Sequence, residues 1–168
     1  VTETLDVPFA PAPGHGTAQE PRYAHPGDAG ADLHAAEDLI LRAGSRALVS
    51  TGVSIALPDG YAAFVVPRSG LAVKHGVTVL NTPGTVDAGY RGEIKVALLN
   101  TDDTDFEIHA GDRIAQLIVM PVVRATFTTV DALPDSVRGA GGFGSTGYAN
   151  TTSAPDDRAE HTTPGGTK

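Results

Sequence analysis

The chain contains no cysteine. Disulfides, thiolate zinc sites, iron–sulfur clusters and cysteine nucleophiles are excluded together. A cysteine-free chain suits a reducing compartment, and a cytoplasmic protein is expected. Basic residues are scarce. Lys and Arg number 12 against 20 Asp and Glu, for a net charge of −8, and they form no run. That balance argues against a nucleic-acid partner. Long apolar runs are missing too. The longest, residues 117–123, is seven residues with a proline inside it, whereas a membrane-crossing helix needs about 20. The start, Val1 to Asp6, is acidic and has no apolar core of a signal peptide. No membrane partner is expected. The six histidines form neither a His-x-His nor a His-x-x-x-His pair. Any metal is therefore expected to be a hard cation with oxygen ligands, most simply Mg2+ held partly by substrate phosphates.

What is present reads as one all-β domain. The 168 residues fit about one domain, and 40% apolar content supplies a core. Runs rich in Val, Ile, Thr, Tyr and Phe predict strands at 4–9, 31–35, 46–55, 61–66, 77–80, 93–100, 105–109, 113–120 and 122–130. Turn signals separate them at Pro58 to Gly60, Pro83-Gly84, Ala88-Gly89 and Ala110 to Asp112. Only short helical pieces are expected, at 70–75 and as a turn at 131–136. This pattern belongs to a sandwich, jelly roll or barrel. Residues 8–26 carry five prolines and predict a long irregular connection. Residues 149–168 hold no Leu, Ile, Val, Met or aromatic side chain and predict a disordered tail. The expected division is a β-domain over 1–137, a glycine-rich arm over 138–148 and the tail over 149–168.

Five polar clusters fall where an all-β domain carries function, on loops and strand ends. Ala29-Gly30-Ala31-Asp32-Leu33 reads as an Asx turn, or as a carboxylate placed for a divalent cation. Pro67-Arg68-Ser69-Gly70-Leu71-Ala72 ends a strand and opens a short helix, so it is either an N-cap with a surface arginine or an anion cradle. The stretch from Asn81 to Ile94 has glycines at 84, 89 and 92 and suggests a tight hairpin presenting Asn81, Asp87 and Tyr90. It is an ordinary surface hairpin, or a cleft whose backbone pairs with a flat ligand and whose Asp87 is a general base. In Arg113 to Ile118, alternation places Ile114, Gln116 and Ile118 on one face, and Gln116 needs a partner. The last cluster, Arg138 to Gly147, includes Gly142-Phe143-Gly144-Ser145-Thr146-Gly147. This spells a dinucleotide fingerprint but lacks the preceding strand, the following helix and the distant acid. It is a linker, or an arm that orders over a phosphate, with Phe143 as an aromatic lid.

In order, these clusters resemble the five motifs of the trimeric dUTP diphosphatases, over Ala29 to Gly147. The resemblance implies a jelly-roll subunit, a distorted β-barrel, in a homotrimer whose active sites are shared between subunits and closed by a flexible C-terminal arm. It implies hydrolysis of dUTP to dUMP and pyrophosphate, supplying dUMP for thymidylate synthesis and keeping uracil out of DNA. Asp87 is then the base for the water that attacks the α-phosphorus, and Gln116 lies by the α-phosphate. Arg68, Ser69 and Gly70 cradle the phosphates. Asn81, Gly84, Thr85, Val86 and Asp87 read uracil, and Val86 stands where isoleucine is common. Tyr90 packs under the deoxyribose. Lys95 lies near the nucleotide, although pairing with Glu93 or Asp87 would serve it equally. Arg138, Ser145 and Thr146 bind the γ-phosphate, with Gly144 between the lid and the hydroxyls, and Phe143 stacks on uracil. Mg2+ is held by the phosphates and reached by Asp32 through water. Two other readings stand beside this one. One is a dCTP deaminase, or a bifunctional deaminase–diphosphatase, for which Glu93 is the only nearby glutamate. The other is a nucleotide-sensing trimer without catalysis.

Overall fold

The computed structural model describes residues 4–16 and 18–140. They form eleven strands and one helix: β1 (Phe9–Pro11), β2 (Ala31–His34), β3 (Leu39–Leu41), β4 (Arg46–Ser50), β5 (Val53–Ile55), β6 (Tyr61–Val66), α1 (Ser69–His75), β7 (Val77–Val79), β8 (Gly84–Asp87), β9 (Lys95–Asn100), β10 (Phe106–Ile108) and β11 (Arg113–Pro121). All pairings are antiparallel. The sheets run β2-β11-β6-β8, β4-β9-β7, β1-β5 and β3-β10. The architecture is an all-β jelly roll. Alternation builds the core: in β9, Val96, Leu98 and Asn100 point inward while Lys95, Ala97 and Leu99 are more exposed. Leu33, Leu41, Val49, Leu98 and Ile108 are fully enclosed, each such burial being worth about 1.5–3 kcal/mol. The one buried amide among them, Asn100, is satisfied: it donates to the carbonyls of Leu41 and Thr104 and accepts from the Asp102 amide.

Several boundaries differ from the sequence reading, each for a local reason. The run 46–55 is two strands, because Gly52 turns the chain at φ +70 and Thr51 Oγ1 accepts the Val53 amide at 3.2 Å. Residues 4–8 precede the first strand, which starts at Phe9 and pairs with β5. The run 8–26 is therefore not wholly irregular, and Arg22 also bridges to Asp32. Two strands, β3 and β8, lie outside the predicted runs. The register of β11 against β2 shifts between Arg113 and Ala115, and this bulge turns both Ile114 and Ala115 inward. Ile114 thus faces the core, and only Gln116 and Ile118 share the outer face. The run 122–130 has strand composition but lies exposed and outside the strands.

The chain divides into two compact units, residues 1–126 and 127–168. In the second, the described residues 127–140 contain no strand or helix. The expected turn lies slightly later, where the Gly139 amide donates to the Ser136 carbonyl at 3.0 Å and hydroxyl at 3.1 Å.

Candidate active site

Strand β8 is the edge of its sheet. An edge strand leaves a row of backbone donors and acceptors unpaired. Along it opens a cleft of about 170 Å³ lined by Val65, Asn81, Gly84, Thr85, Val86, Asp87, Tyr90, Glu93, Ile94 and Lys95. Glycine lets two walls close on it. A Cβ on Gly84 would stand 3.1 Å from Asn81 Nδ2, so the absence of a side chain seats the Asn81 amide against the strand. A Cβ on Gly92 would fall 2.7 Å from Tyr90 Cζ, so the Tyr90 ring lies over bare backbone. Its hydroxyl donates to the Glu93 carbonyl at 2.9 Å. After Asp87 the chain turns, with the Tyr90 amide donating to the Asp87 carbonyl at 3.0 Å. The Asp87 side chain is exposed at the end of β8.

Glu93 and Lys95, both lining this cleft, pair with Nζ 3.4 Å from Oε2. Burial pushes the Glu93 carboxyl up. The hydrogen bond from the Gly52 amide, aided by the Ser50 hydroxyl, Lys95 and His15, outweighs burial and holds it below the ordinary carboxylate range.

A second cleft, about 240 Å³, is lined by Arg68, Ser69, Gly70, Leu71, Lys74, His75 and Gln116. Helix α1 presents Lys74 and His75 in its last turn and ends at Gly76, φ +62, the left-handed cap that glycine adopts freely. Arg68 precedes the helix and is fixed from below. Its Nε stands 3.2 Å from Asp32 Oδ1, and its NH1 donates to the Arg113 carbonyl at 3.2 Å. Arg113 NH1 donates to the other oxygen, Oδ2, at 3.5 Å. Asp32 is 5% exposed. Its Oδ1 faces Arg68 at ion-pair distance but receives no hydrogen bond among the described residues. Gly30 makes room for Gln116, since a Cβ there would approach Gln116 Cβ to 3.1 Å. Beneath lies His34, which is buried: burial lowers its pKa, Asp32 opposes this, and Arg113 and Arg68 lower it further.

The two clefts share no lining residue. Gln116 is opposite Val66, while Asp87 is opposite Ala62 on the far side of β6. Four residues along the strand and two strand spacings across put their Cα atoms about 16 Å apart.

The family model described as dUTPase matches residues 17–147. A deoxyuridine 5'-triphosphate nucleotidohydrolase of Leifsonia xyli subsp. xyli is 64% identical over 152 residues, covering 90% of this chain and 96% of that one. The enzyme of the same name from Thermobifida fusca is 70% identical over 128 residues, 76% of this chain and 72% of its own. The chain belongs to the dUTPase family. The fold agrees: a mutant dUTPase of Staphylococcus bacteriophage 80alpha, solved with dUpNHpp, superposes with a TM-score of 0.79 at 26% identity, over 86% of this chain and all of that one.

In this dUTPase the sequence-predicted residues sort into the two clefts. Asn81, Gly84, Thr85, Val86, Asp87, Tyr90 and Lys95 meet at β8. Arg68, Ser69, Gly70 and Gln116 meet at α1, with Asp32 behind Arg68. Arg138 lies in the second unit, and Phe143, Gly144, Ser145 and Thr146 fall outside the described residues, as does the tail. Sequence reasoning missed Lys74 and His75. Their signal was present, because residues four apart from Gly70 and Leu71 return to the same helix face. It treated Glu93 as a neighbour of Lys95 and as the one glutamate near enough for a deaminase, whereas Glu93 lines the cleft itself.

Proposed function

We propose that this dUTPase converts dUTP and water to dUMP and pyrophosphate in sites shared between copies of the chain, as a homotrimer. The segregation of the two clefts carries the reading. The deoxyuridine part suits the β8 cleft, where edge-strand backbone groups and Asn81 offer fixed donors and acceptors to a flat base. Cytosine reverses that pattern and leaves buried groups unpaired, which discriminates strongly. The triphosphate suits the α1 cleft, where Arg68, Lys74 and His75 bring cationic or proton-bearing groups together. One α-phosphorus must meet both Asp87 and Gln116. Their separation in one chain is most simply bridged by taking each from a different copy.

Exposed apolar side chains support assembly. On the outer face of β4-β9-β7, Leu48 is 64% exposed and stands opposite Ala97, with Leu80 nearby on the Ala97 carbonyl. A partner copy is the natural cover for such a face. In the second unit, Phe127 and Leu133 are separately exposed.

In the reaction, the Asp87 carboxylate accepts a proton from the attacking water and fixes its direction. Gln116 donates to a non-bridging oxygen of the α-phosphate. Arg68, locked by Asp32 and the Arg113 carbonyl, meets the phosphates without reorganising, and preorganisation of this kind supplies most of the catalysis in phosphoryl chemistry. Tyr90 bears on the sugar. The arm residues Arg138, Phe143, Ser145 and Thr146 close the site from a further copy.

The donor set fits Mg2+ arriving with the substrate. Among the described residues no three carboxylate, histidine or cysteine groups gather to cage an ion. Asp32 Oδ1 is a buried acceptor without a hydrogen bond, able to take one from a water on an ion held by the phosphates. The ion would neutralise charge on the leaving pyrophosphate. We place the enzyme in the cytoplasm, which suits a chain without cysteine. The deaminase reading loses support, because Glu93 is bound to the Gly52 amide, His15 and Lys95 and is not free to act as a base.

The test is pyrophosphate release from dUTP with Mg2+, beside dCTP, dTTP and UTP. Release from dUTP alone supports the reading. Ammonia from dCTP would favour the deaminase, and tight dUTP binding without turnover would favour the sensing trimer.

A further inference from the structure

Glu93 lines the β8 cleft yet takes no part in the reaction derived above. Its side chain is 13% exposed, and its carboxylate is held from three directions. The Gly52 amide donates to Oε1 at 2.9 Å. His15 Nε2 stands 3.3 Å from the same oxygen. Lys95 Nζ stands 3.4 Å from Oε2. The hold is built into the fold. Gly52 sits at φ +70, and a Cβ there would meet the His15 ring at 3.3 Å. The Ala12 amide donates to the Gly52 carbonyl at 2.7 Å, and the His15 amide to the Ala12 carbonyl at 3.0 Å. The N-terminal segment is thereby laced to the same bend. On its cleft side, the Glu93 carbonyl accepts the Tyr90 hydroxyl. A largely buried carboxylate is costly unless it is paired and hydrogen-bonded. Here the partners link an outer segment to the cation through the Glu93 side chain, while the ring is held by the backbone carbonyl of the same residue.

We infer that Glu93, braced by His15 and the Gly52 amide, is a positioning residue for nucleotide binding. Its carboxylate fixes Lys95 Nζ, and its bracing steadies the backbone carbonyl that holds the Tyr90 ring, where the deoxyuridine part lies. This rests on the reading that the β8 cleft takes that part of dUTP. His15 stands outside the cleft lining, so it acts only through Glu93.

The test is steady-state dUTP hydrolysis by the full chain, with thermal unfolding of each variant in parallel. Glu93→Gln keeps an acceptor for the Gly52 amide and loses the charge that holds Lys95. Its KM is expected to rise about three- to tenfold, with the loss falling on KM and little on kcat, a size typical of coupled neighbours. His15→Ala is expected to raise KM in the same direction by less. Lys95→Met is expected to raise KM less in the Glu93→Gln background than in the wild type, because one interaction cannot be lost twice. If Glu93→Gln and His15→Ala lower the melting temperature while KM stays at the wild-type value, the inference is overturned and Glu93 is structural. Full multiplication of the two effects in the double variant overturns it as well. Failure of the underlying reading looks different: the wild type itself would not turn over dUTP.

Discussion

Asp87 is exposed at the end of an edge strand. Asp87→Asn keeps the shape and removes the base. The expected result is a fall in kcat of about 10²–10⁴-fold, the usual worth of general base catalysis, with dUTP binding retained in a direct titration. Glu93 makes a second prediction at this scale. Its carboxyl lies below its ordinary value of 4.5 in the folded chain, so the unfolded chain binds the proton more readily. The stabilisation is full above about pH 4.5 and is lost as pH falls through the lower, folded value. Thermal unfolding should show wild type above Glu93→Gln at pH 7, with the gap closing below pH 4.5. A gap independent of pH would contradict this. Single residues were also the most legible feature of the sequence. Every predicted site residue that the structure describes, Arg138 apart, lines one of two clefts or backs it. Glycines were read there as turns. Gly92 and Gly30 act differently, as bare spots under Tyr90 and beside Gln116, and spacing along the chain cannot show what packs on a glycine.

At the scale of elements, Gly76 closes α1 and aligns β7 behind it. Its φ is +62, and a Cβ would stand 2.9 Å from Thr101 Oγ1 and 3.0 Å from the Asp102 amide nitrogen. Gly76→Ala meets both the left-handed backbone and that crowding. A loss of about 1–3 kcal/mol is expected in denaturant unfolding, with phosphate binding weakened because Lys74 and His75 immediately precede the cap. An unchanged midpoint would count against the capping role. Gly92→Ala should spare stability by comparison and displace the Tyr90 ring, since the clash is with a side chain that can swing; the expected readout is a raised KM for dUTP. Strand type was legible from Val, Ile and Thr content, but strand ends were not. The break at Thr51-Gly52 comes from a hydroxyl and a positive φ. The three residues of β3 are too few to show a period. β8 was hidden in a run whose glycines suggested a tight hairpin, whereas it pairs with β6 and not with the strand that follows it. The run 122–130 shows the converse: strand composition without a strand to pair with stays irregular.

For the whole molecule, composition and turn spacing implied a sandwich, jelly roll or barrel of short strands, and the family resemblance narrowed this to the jelly roll that the strands form. The division of the site into two clefts was not legible, because it depends on register across β11, β6 and β8. It carries the central claim that each dUTP is held by more than one copy. Light scattering should give three times the chain mass. The most direct measurement is complementation. Asp87→Asn and Gln116→Ala chains are co-expressed, and mixed assemblies are purified by two tags and assayed for pyrophosphate release. Each variant alone is expected to be nearly inactive. In a mixed closed ring of three, one site in three receives an intact β8 cleft from one copy and an intact α1 cleft from another, so about a third of wild-type activity should return. Mixed assemblies as inactive as their parents would place Asp87 and Gln116 of the same chain in one site and contradict the shared-site account.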